Sequence, residues 1–152
     1  MLVGLISDTH GLLRPEALAA LQGSQLIVHA GDIGKPEILD ELRTIAPTFA
    51  VRGNNDSQAW AAALPEKEIV EVAGGQVWVL HQIAHLFRGA VGDRCVAVVF
   101  GHTHKPWIET RNGVLYINPG SAGPRRFRLP VTVGRLHVGD DGLRPEIVDL
   151  DV

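Results

Sequence analysis

The chain has 152 residues, with 14 Lys and Arg against 17 Asp and Glu and a formal net charge of -3. Its 45% hydrophobic and 20% charged residues exclude disorder as the main state, and one domain spanning 1–152 is expected at this length. No apolar run approaches the roughly 18 residues of a membrane span, the acidic balance argues against bulk nucleic-acid binding, and the lone Cys95 forms neither an intrachain disulfide nor a thiolate cluster.

The first apolar run, Leu2 to Ile6, leads into Asp8 and His10 with no basic leader or small-residue cleavage site. No export signal is expected, and a reducing, cytoplasmic setting is. Pro15 to Leu21 opens with a first-turn proline and stops at Gly23, which predicts a helix. A strand comes next at Leu26 to Val28. Pro36 to Ile45 sets Ile38, Leu39, Leu42 and Ile45 on one helical face. Phe49 to Val51 reads as the next strand, so the front of the chain is β-α-β-α-β and predicts parallel strands with right-handed crossovers. Val77 to Leu80 and Val96 to Phe100 are continuous apolar runs, as in strands covered on both faces. The back half reads as strands at Trp107 to Thr110, Val114 to Ile117, Val131 to Val138 and Leu143 to Leu150. Asn112-Gly113, Pro119-Gly120 and Asp140-Asp141-Gly142 separate them as turns.

Five of the runs end in residues that carry chemistry. Ile6 is followed by Ser7-Asp8-Thr9-His10, and Val28 by His29-Ala30-Gly31-Asp32. Val51 leads into Arg52-Gly53-Asn54-Asn55-Asp56, Leu80 into His81, and Phe100 into Gly101-His102-Thr103-His104. In open α/β sheets ligands gather at the carboxyl ends of strands, which is where these oxygens and nitrogens fall. Asp8/His10 and His102/His104 are spaced i,i+2, and extended backbone would turn both members of each pair to one side. Glycines at 31, 53 and 101 allow tight turns at the site. Imidazoles mixed with carboxylates and no sulfur suit Mn, Fe, Co, Ni or Zn. Seven ligands exceed one tetrahedral ion and suit two ions about 3.5–4 Å apart that share a carboxylate. Each motif alone is ordinary turn chemistry; five turns supplying a ligand together are not. His29, His85 and His137 read as structural. Gly31 to Lys35 is too short for a phosphate loop, and Pro36 stands where Ser or Thr is required. There is no nucleophile elbow, and the chain is too short for a TIM barrel.

Taken together, Asp8-Thr9-His10, Gly31-Asp32, Gly53-Asn54-Asn55-Asp56, His81, Gly101-His102-Thr103-His104 and Asn118-Pro119-Gly120-Ser121 resemble the calcineurin-like metallophosphoesterase superfamily in order and spacing. The Gly-Asn-x-Asp form and the Asn-Pro-Gly-Ser segment are similar to its small bacterial and archaeal phosphodiesterase branch. The resemblance covers essentially the whole chain. It implies an α/β fold, a four-layer α/β/β/α sandwich of two mixed β-sheets flanked by helices. It implies that Asp8, His10 and His104 hold a first divalent metal ion, that Asn54, His81 and His102 hold a second, and that Asp32 bridges them. Mn is the first choice of ion, with Ni, Fe, Co or Zn as alternatives. The expected chemistry is attack on phosphorus by a hydroxide shared by the two ions, with Asp32 and Asn54 in the catalytic group.

Two departures from the pattern bear on substrate. Strong phosphomonoesterases of the superfamily carry a histidine after the ligand asparagine as general acid. Here Asn55 stands there and has no proton to give, so it is expected to touch substrate only, and diesters are favoured over monoesters. Gln82 replaces the usual glycine after His81, which bears on the shape of that loop. Arg125, in Arg125-Arg126-Phe127-Arg128, is the candidate clamp on a phosphate oxygen. The expected partner is a small phosphodiester, a nucleotide or cyclic nucleotide among the candidates, with no membrane, and a homo-oligomer is compatible with the sequence. The rival reading is a protein-interaction scaffold on the same fold, as the small retromer subunit is. Such a scaffold would have lost metal ligands, and all seven positions are intact here.

Overall fold

The computed structural model describes residues 1–86 and 91–152. In chain order its elements are β1 (Leu2–Ile6), α1 (Pro15–Ala20), β2 (Leu26–His29), α2 (Pro36–Arg43), β3 (Thr48–Ala50), β4 (Lys67–Val72), β5 (Gly75–Leu80), β6 (Cys95–Val99), β7 (Trp107–Arg111), β8 (Val114–Asn118), β9 (Thr132–Gly139) and β10 (Gly142–Asp149). Short 3-10 turns lie at Ala59–Ala63 and Ile83–His85.

The strands form two five-stranded mixed sheets. The first has the order β10-β9-β1-β2-β3 and the second β4-β5-β6-β8-β7. β1, β2 and β3 run parallel, in a register that sets Leu5 beside Val28 and Val28 beside Phe49. In the second sheet β5, β6 and β8 run parallel, and β4 and β7 close its two edges antiparallel. Asn112 and Gly113, with φ of 50° and 80°, form the tight turn between β7 and β8. Both residues are left-handed there, as a turn matching the strand twist requires.

One apolar layer lies between the sheets. Val3, Leu5 and Val28 from the first meet Val77, Val79, Ala97, Val99 and Ile117 from the second. The opposite face of the first sheet is covered by α1 and α2 through Ala17, Leu21, Ile38, Leu39 and Leu42. That double cover explains the continuous apolar runs of β1 and β2. Both helices open on proline, whose missing N–H costs nothing in a first turn. In α2, Glu37 near the start and Arg43 near the end suit the helix dipole.

Two features depart from the sequence expectation. β4 has no counterpart among the predicted strands. It is an edge strand in which only Val70 is buried; Lys67 and Glu71 face solvent and Glu68 is half-buried. The fourth layer is thin. Among the described residues no α-helix covers the outer face of the second sheet, and Ile83, Leu86 and Val91 pack there on Trp78, Leu80 and Val98.

Candidate metal centre

Seven side chains expected to bind metal come from the segments after five strands. Asp8, His10, Asp32 and Asn54 follow strands of the first sheet, and His81, His102 and His104 follow strands of the second. The sheets are stitched together at this end. Within the first sheet's loops the Asp8 N–H donates to the Gly31 carbonyl, and within the second's the Gly101 N–H donates to the His81 carbonyl. The His102 N–H crosses between sheets to Asp8 Oδ2 at 3.1 Å.

The backbone here is strained. Asp8, His10, Asp32, His102 and His104 have φ of 55°, 45°, 55°, 75° and 64°. Side chains other than glycine avoid that left-handed region, and a cluster of such residues marks a site where geometry is held against its cost. The pairs Asp8/His10 and His102/His104 therefore converge through left-handed turns, not through the extended backbone that their spacing suggested. Close approach, too, is enforced. A Cβ on Gly101 would stand 2.1 Å from Ser7 Oγ and 2.7 Å from Asp8 Oδ2, and one on Gly53 would stand 2.2 Å from Asp32 Oδ1.

Asp8 is fully buried. Its Oδ2 accepts from Ser7 Oγ at 2.6 Å as well as from the His102 N–H. Its Oδ1 is left facing three imidazole nitrogens: Nε2 of His104 at 3.4 Å, of His10 at 3.8 Å and of His81 at 3.9 Å. The Nε2 atoms of His10 and His104 are 3.4 Å apart. Asp32 Oδ2 lies 3.2 Å from His81 Nε2 and 3.6 Å from His10 Nε2, so one carboxylate oxygen faces a histidine of each expected set. Two candidate ion-holding groups result, Asp8/His10/His104 and Asp8/Asp32/His81. The second assigns Asp8, beside Asp32, to the region between them. Asn54 and His102 stand at the exposed side and face each other, Oδ1 to Nδ1, at 3.2 Å.

His81 carries the clearest chemical signal. Its Nδ1 lies 2.7 Å from the Ala30 carbonyl oxygen, which can only accept, so Nδ1 holds the proton. In the neutral ring Nε2 is then a lone pair aimed at two carboxylates. His81 Nε2 and Asp8 Oδ1 are both buried without a hydrogen-bond partner among the described residues. Lone pairs of one sign converging in a buried space fit a cation, and this donor set of imidazole and carboxylate suits a first-row divalent metal.

Electrostatics agree with an anionic cluster. Burial opposes ionisation of Asp32, but His81 and the Asn55 N–H outweigh it and pull its carboxyl down to about 2. Asp8 is likewise held below the usual carboxylate range against burial, by His10, Ser7 and the other imidazoles. Burial also works against a charged His81, yet Asp32 and Asp8 prevail and raise it above an ordinary histidine. His104 is lowered, by burial first and by the Arg126 charge among others.

The two residues expected to touch substrate both make hydrogen bonds within the protein. The Asn55 N–H donates to Asp32 Oδ1 at 2.9 Å and its Nδ2 to Oδ2 at 3.1 Å, so Asn55 orients Asp32. Arg125 donates to the Leu129 carbonyl at 3.1 Å and to the Val152 carbonyl, so its guanidinium ties its loop to the C-terminal segment. Gln82, with φ of -114°, sits in ordinary extended backbone and needs no glycine.

Supporting residues escaped the reading of the sequence. Asp56 is buried and accepts N–H bonds from Ile33, Gly34 and Gly53, which fixes the turns that carry Asp32 and Asn54. Ser121 Oγ donates to the Asp8 carbonyl, and Asn118 Nδ2 to the Gly101 carbonyl. Their signal was present in the Asn-Pro-Gly-Ser segment, but the partners are 113 and 17 positions away. His29 is confirmed as buried structure, and His85 lines a cavity of about 300 Å³ that Asn54 and His81 share.

Residues 1–141 match the model of the calcineurin-like phosphoesterase superfamily domain. A probable metallophosphoesterase of Methanothermobacter thermautotrophicus is 34% identical across 97% of this chain and 92% of its own. Phosphodiesterase YfcE of Escherichia coli is 29% identical over 86% of this chain and 84% of its own. The YfcE structure superposes with a TM-score of 0.75 over 99% of this chain and 94% of that one, at 26% identity. Vps29 of Entamoeba histolytica, solved as a complex with zinc, shares the fold at a TM-score of 0.73 and 24% identity, over 99% of each chain. The chain belongs to the calcineurin-like phosphoesterase superfamily.

Proposed function

We propose that the protein is a metal-dependent phosphodiesterase with a two-ion centre. Asp8, His10 and His104 would hold one ion, Asn54, His81 and His102 the other, and Asp32 would lie between them. The observation that carries this reading is the convergence of Asp8 Oδ1, Asp32 Oδ2 and three imidazole Nε2 atoms, with Asp8 Oδ1 and His81 Nε2 buried and unpartnered among the described residues. Two divalent ions would supply a water that is nucleophilic at neutral pH and positive charge for the phosphoryl oxygens.

The residues of the chain do the positioning. Ser7 and the His102 N–H hold one oxygen of Asp8 and so aim the other at the cluster. Asn55 grips both oxygens of Asp32, and the Ala30 carbonyl fixes the His81 ring. Such outer contacts orient ligands and set their basicity. Two ionised carboxylates would repel an anionic phosphodiester, so the site attracts this substrate only with cations in place. A diester is supported over a monoester by the relatives named as phosphodiesterases. A nucleotide-like diester and Mn²⁺ are part of the proposal, Mn²⁺ as one of the first-row ions that imidazole and carboxylate donors suit.

The test is hydrolysis of bis(p-nitrophenyl) phosphate by the purified protein. Turnover with added Mn²⁺ that a chelator abolishes is the expected result. No turnover with any divalent metal, together with an unchanged melting temperature on adding metal, would overturn the enzyme reading in favour of a scaffold.

A further inference from the structure

Resting on the phosphodiesterase reading, we propose that His85 donates the proton to the departing oxygen, from the wall of the cavity beside Asn54 and His81. The reaction needs such a donor for any alcohol that leaves poorly, and the position after Asn54 does not supply it. Asn55 has no acidic proton and is committed to Asp32 through both its N–H and its amide.

A cavity of about 300 Å³ is lined together by the candidate metal ligands Asn54 and His81, by His85, and by the apolar Trp78 and Leu80. Its size is at the small end of organic ligand sites. An ester arm extending from a phosphorus held at the cluster has room there. His85 is brought to this wall by the 3-10 turn after His81, closed by the His85 N–H on the Gln82 carbonyl at 3.0 Å. Residues three apart eclipse each other in such a turn, and Gln82 and His85 both line the cavity.

Among the described residues, the other ionisable side chains on this wall are committed to other contacts. Arg52 and Glu66 pair at 3.0 Å. The Lys67 ammonium sits 4.6 Å above the Trp78 ring and is engaged there. Asp56, in the neighbouring cavity, accepts three backbone N–H groups. Imidazole is the side chain suited to passing a proton at neutral pH.

The step balances simply. The oxygen of water bonds to phosphorus as the bond to the ester oxygen breaks. The imidazolium proton of His85 passes to that oxygen, and a neutral alcohol leaves. The attacking water releases its proton to solvent, and the His85 ring takes one back from solvent.

The test compares wild type, His85→Ala and His85→Gln, each loaded with Mn²⁺, on methyl phosphodiesters whose other arm runs from dinitrophenol through phenol to a simple alcohol. For phenyl and alkyl esters both variants should lose about 10²-fold or more in kcat, the low end of general acid catalysis. Dinitrophenyl ester turnover, which needs no proton, should stay within about threefold. The dependence on leaving-group pKa therefore steepens in both variants, and added imidazole restores part of the loss in His85→Ala. A structural role would be met by glutamine and would not change the slope. Equal losses for every ester, or an unchanged slope, overturn the inference alone. Absence of wild-type turnover even on the dinitrophenyl ester overturns the phosphodiesterase reading and this inference with it.

Discussion

His29 shows how a single residue near the cluster serves the fold without joining the metal set. It is fully buried, and its Nδ1 accepts the Gly31 N–H at 3.1 Å. Its Nε2 must then carry the proton, which it donates to Thr9 Oγ1 at 3.0 Å, and Thr9 donates onward to the Ile33 carbonyl at 2.8 Å. This relay ties β2 to the turns bearing Asp8 and Asp32, and its Gly31 link needs a neutral ring. Burial pushes His29 down to about 4 from 6.5. Above pH 6.5 both folded and unfolded chains carry it neutral. Below that, the unfolded chain binds a proton that the folded chain refuses, so stability falls as the pH drops toward 4, by about 3 kcal/mol at about 1.4 kcal/mol per pH unit. His29→Gln removes this dependence. Urea unfolding in chelator at pH 7 and pH 4.5 should show the variant losing about 2–3 kcal/mol less than wild type over that interval. Equal losses would mean that the ring is not held neutral. That His29 is structural was legible from its place inside an apolar run; its proton relay was not, because Thr9 and Ile33 reach it only through the fold.

At the scale of elements, α1, α2 and the buried strands were legible because their residues are read twice, by period and by punctuation. Pro15 and Pro36 mark the helix starts, and Ile38, Leu39 and Leu42 form the buried stripe of α2 as their spacing requires. β4 was illegible for the opposite reason. An edge strand with one buried side chain has no run to detect, and Lys67-Glu68-Ile69-Val70-Glu71-Val72 looks like a loop. The ligand pairs were found by residue type and spacing, yet the reason for their convergence was missed. Asp and His enter the left-handed region more readily than most side chains, but an i,i+2 spacing does not say that all four residues at 8, 10, 102 and 104 do so. Leu42 is fully buried against the helix face of the first sheet, on the side away from the inter-sheet layer. Leu42→Ala should therefore cost about 3 kcal/mol, or roughly 10 °C in Tm. Its metal stoichiometry and kcat should match wild type at a temperature where both are folded. A loss of metal binding in the folded variant would show that α2 holds the site directly.

For the whole molecule, the candidate centre is a joint between two sheets. The first contributes Asp8, His10, Asp32 and Asn54, and the second His81, His102 and His104. Neither sheet holds a complete set, so the apolar layer from Val3 and Leu5 to Val79 and Val99 sets the distance between the halves. This explains why the family and the convergence of the candidate ligands were readable along one chain while the places of Asn55 and Arg125 were not. Ligands come after strand ends in order, whereas Arg125 and Asn55 take their places from loops that close on Val152 and Asp32. The two-ion centre is tested most directly by counting the ions. The protein, reconstituted with saturating Mn²⁺ and freed of excess, is assayed by elemental analysis beside His104→Ala and Asp32→Asn. Two ions per chain are expected in wild type, one in His104→Ala, and weakened occupancy of both positions in Asp32→Asn, because a neutral amide bridges two cations poorly. One ion or none per wild-type chain would contradict a centre shared between the two sheets.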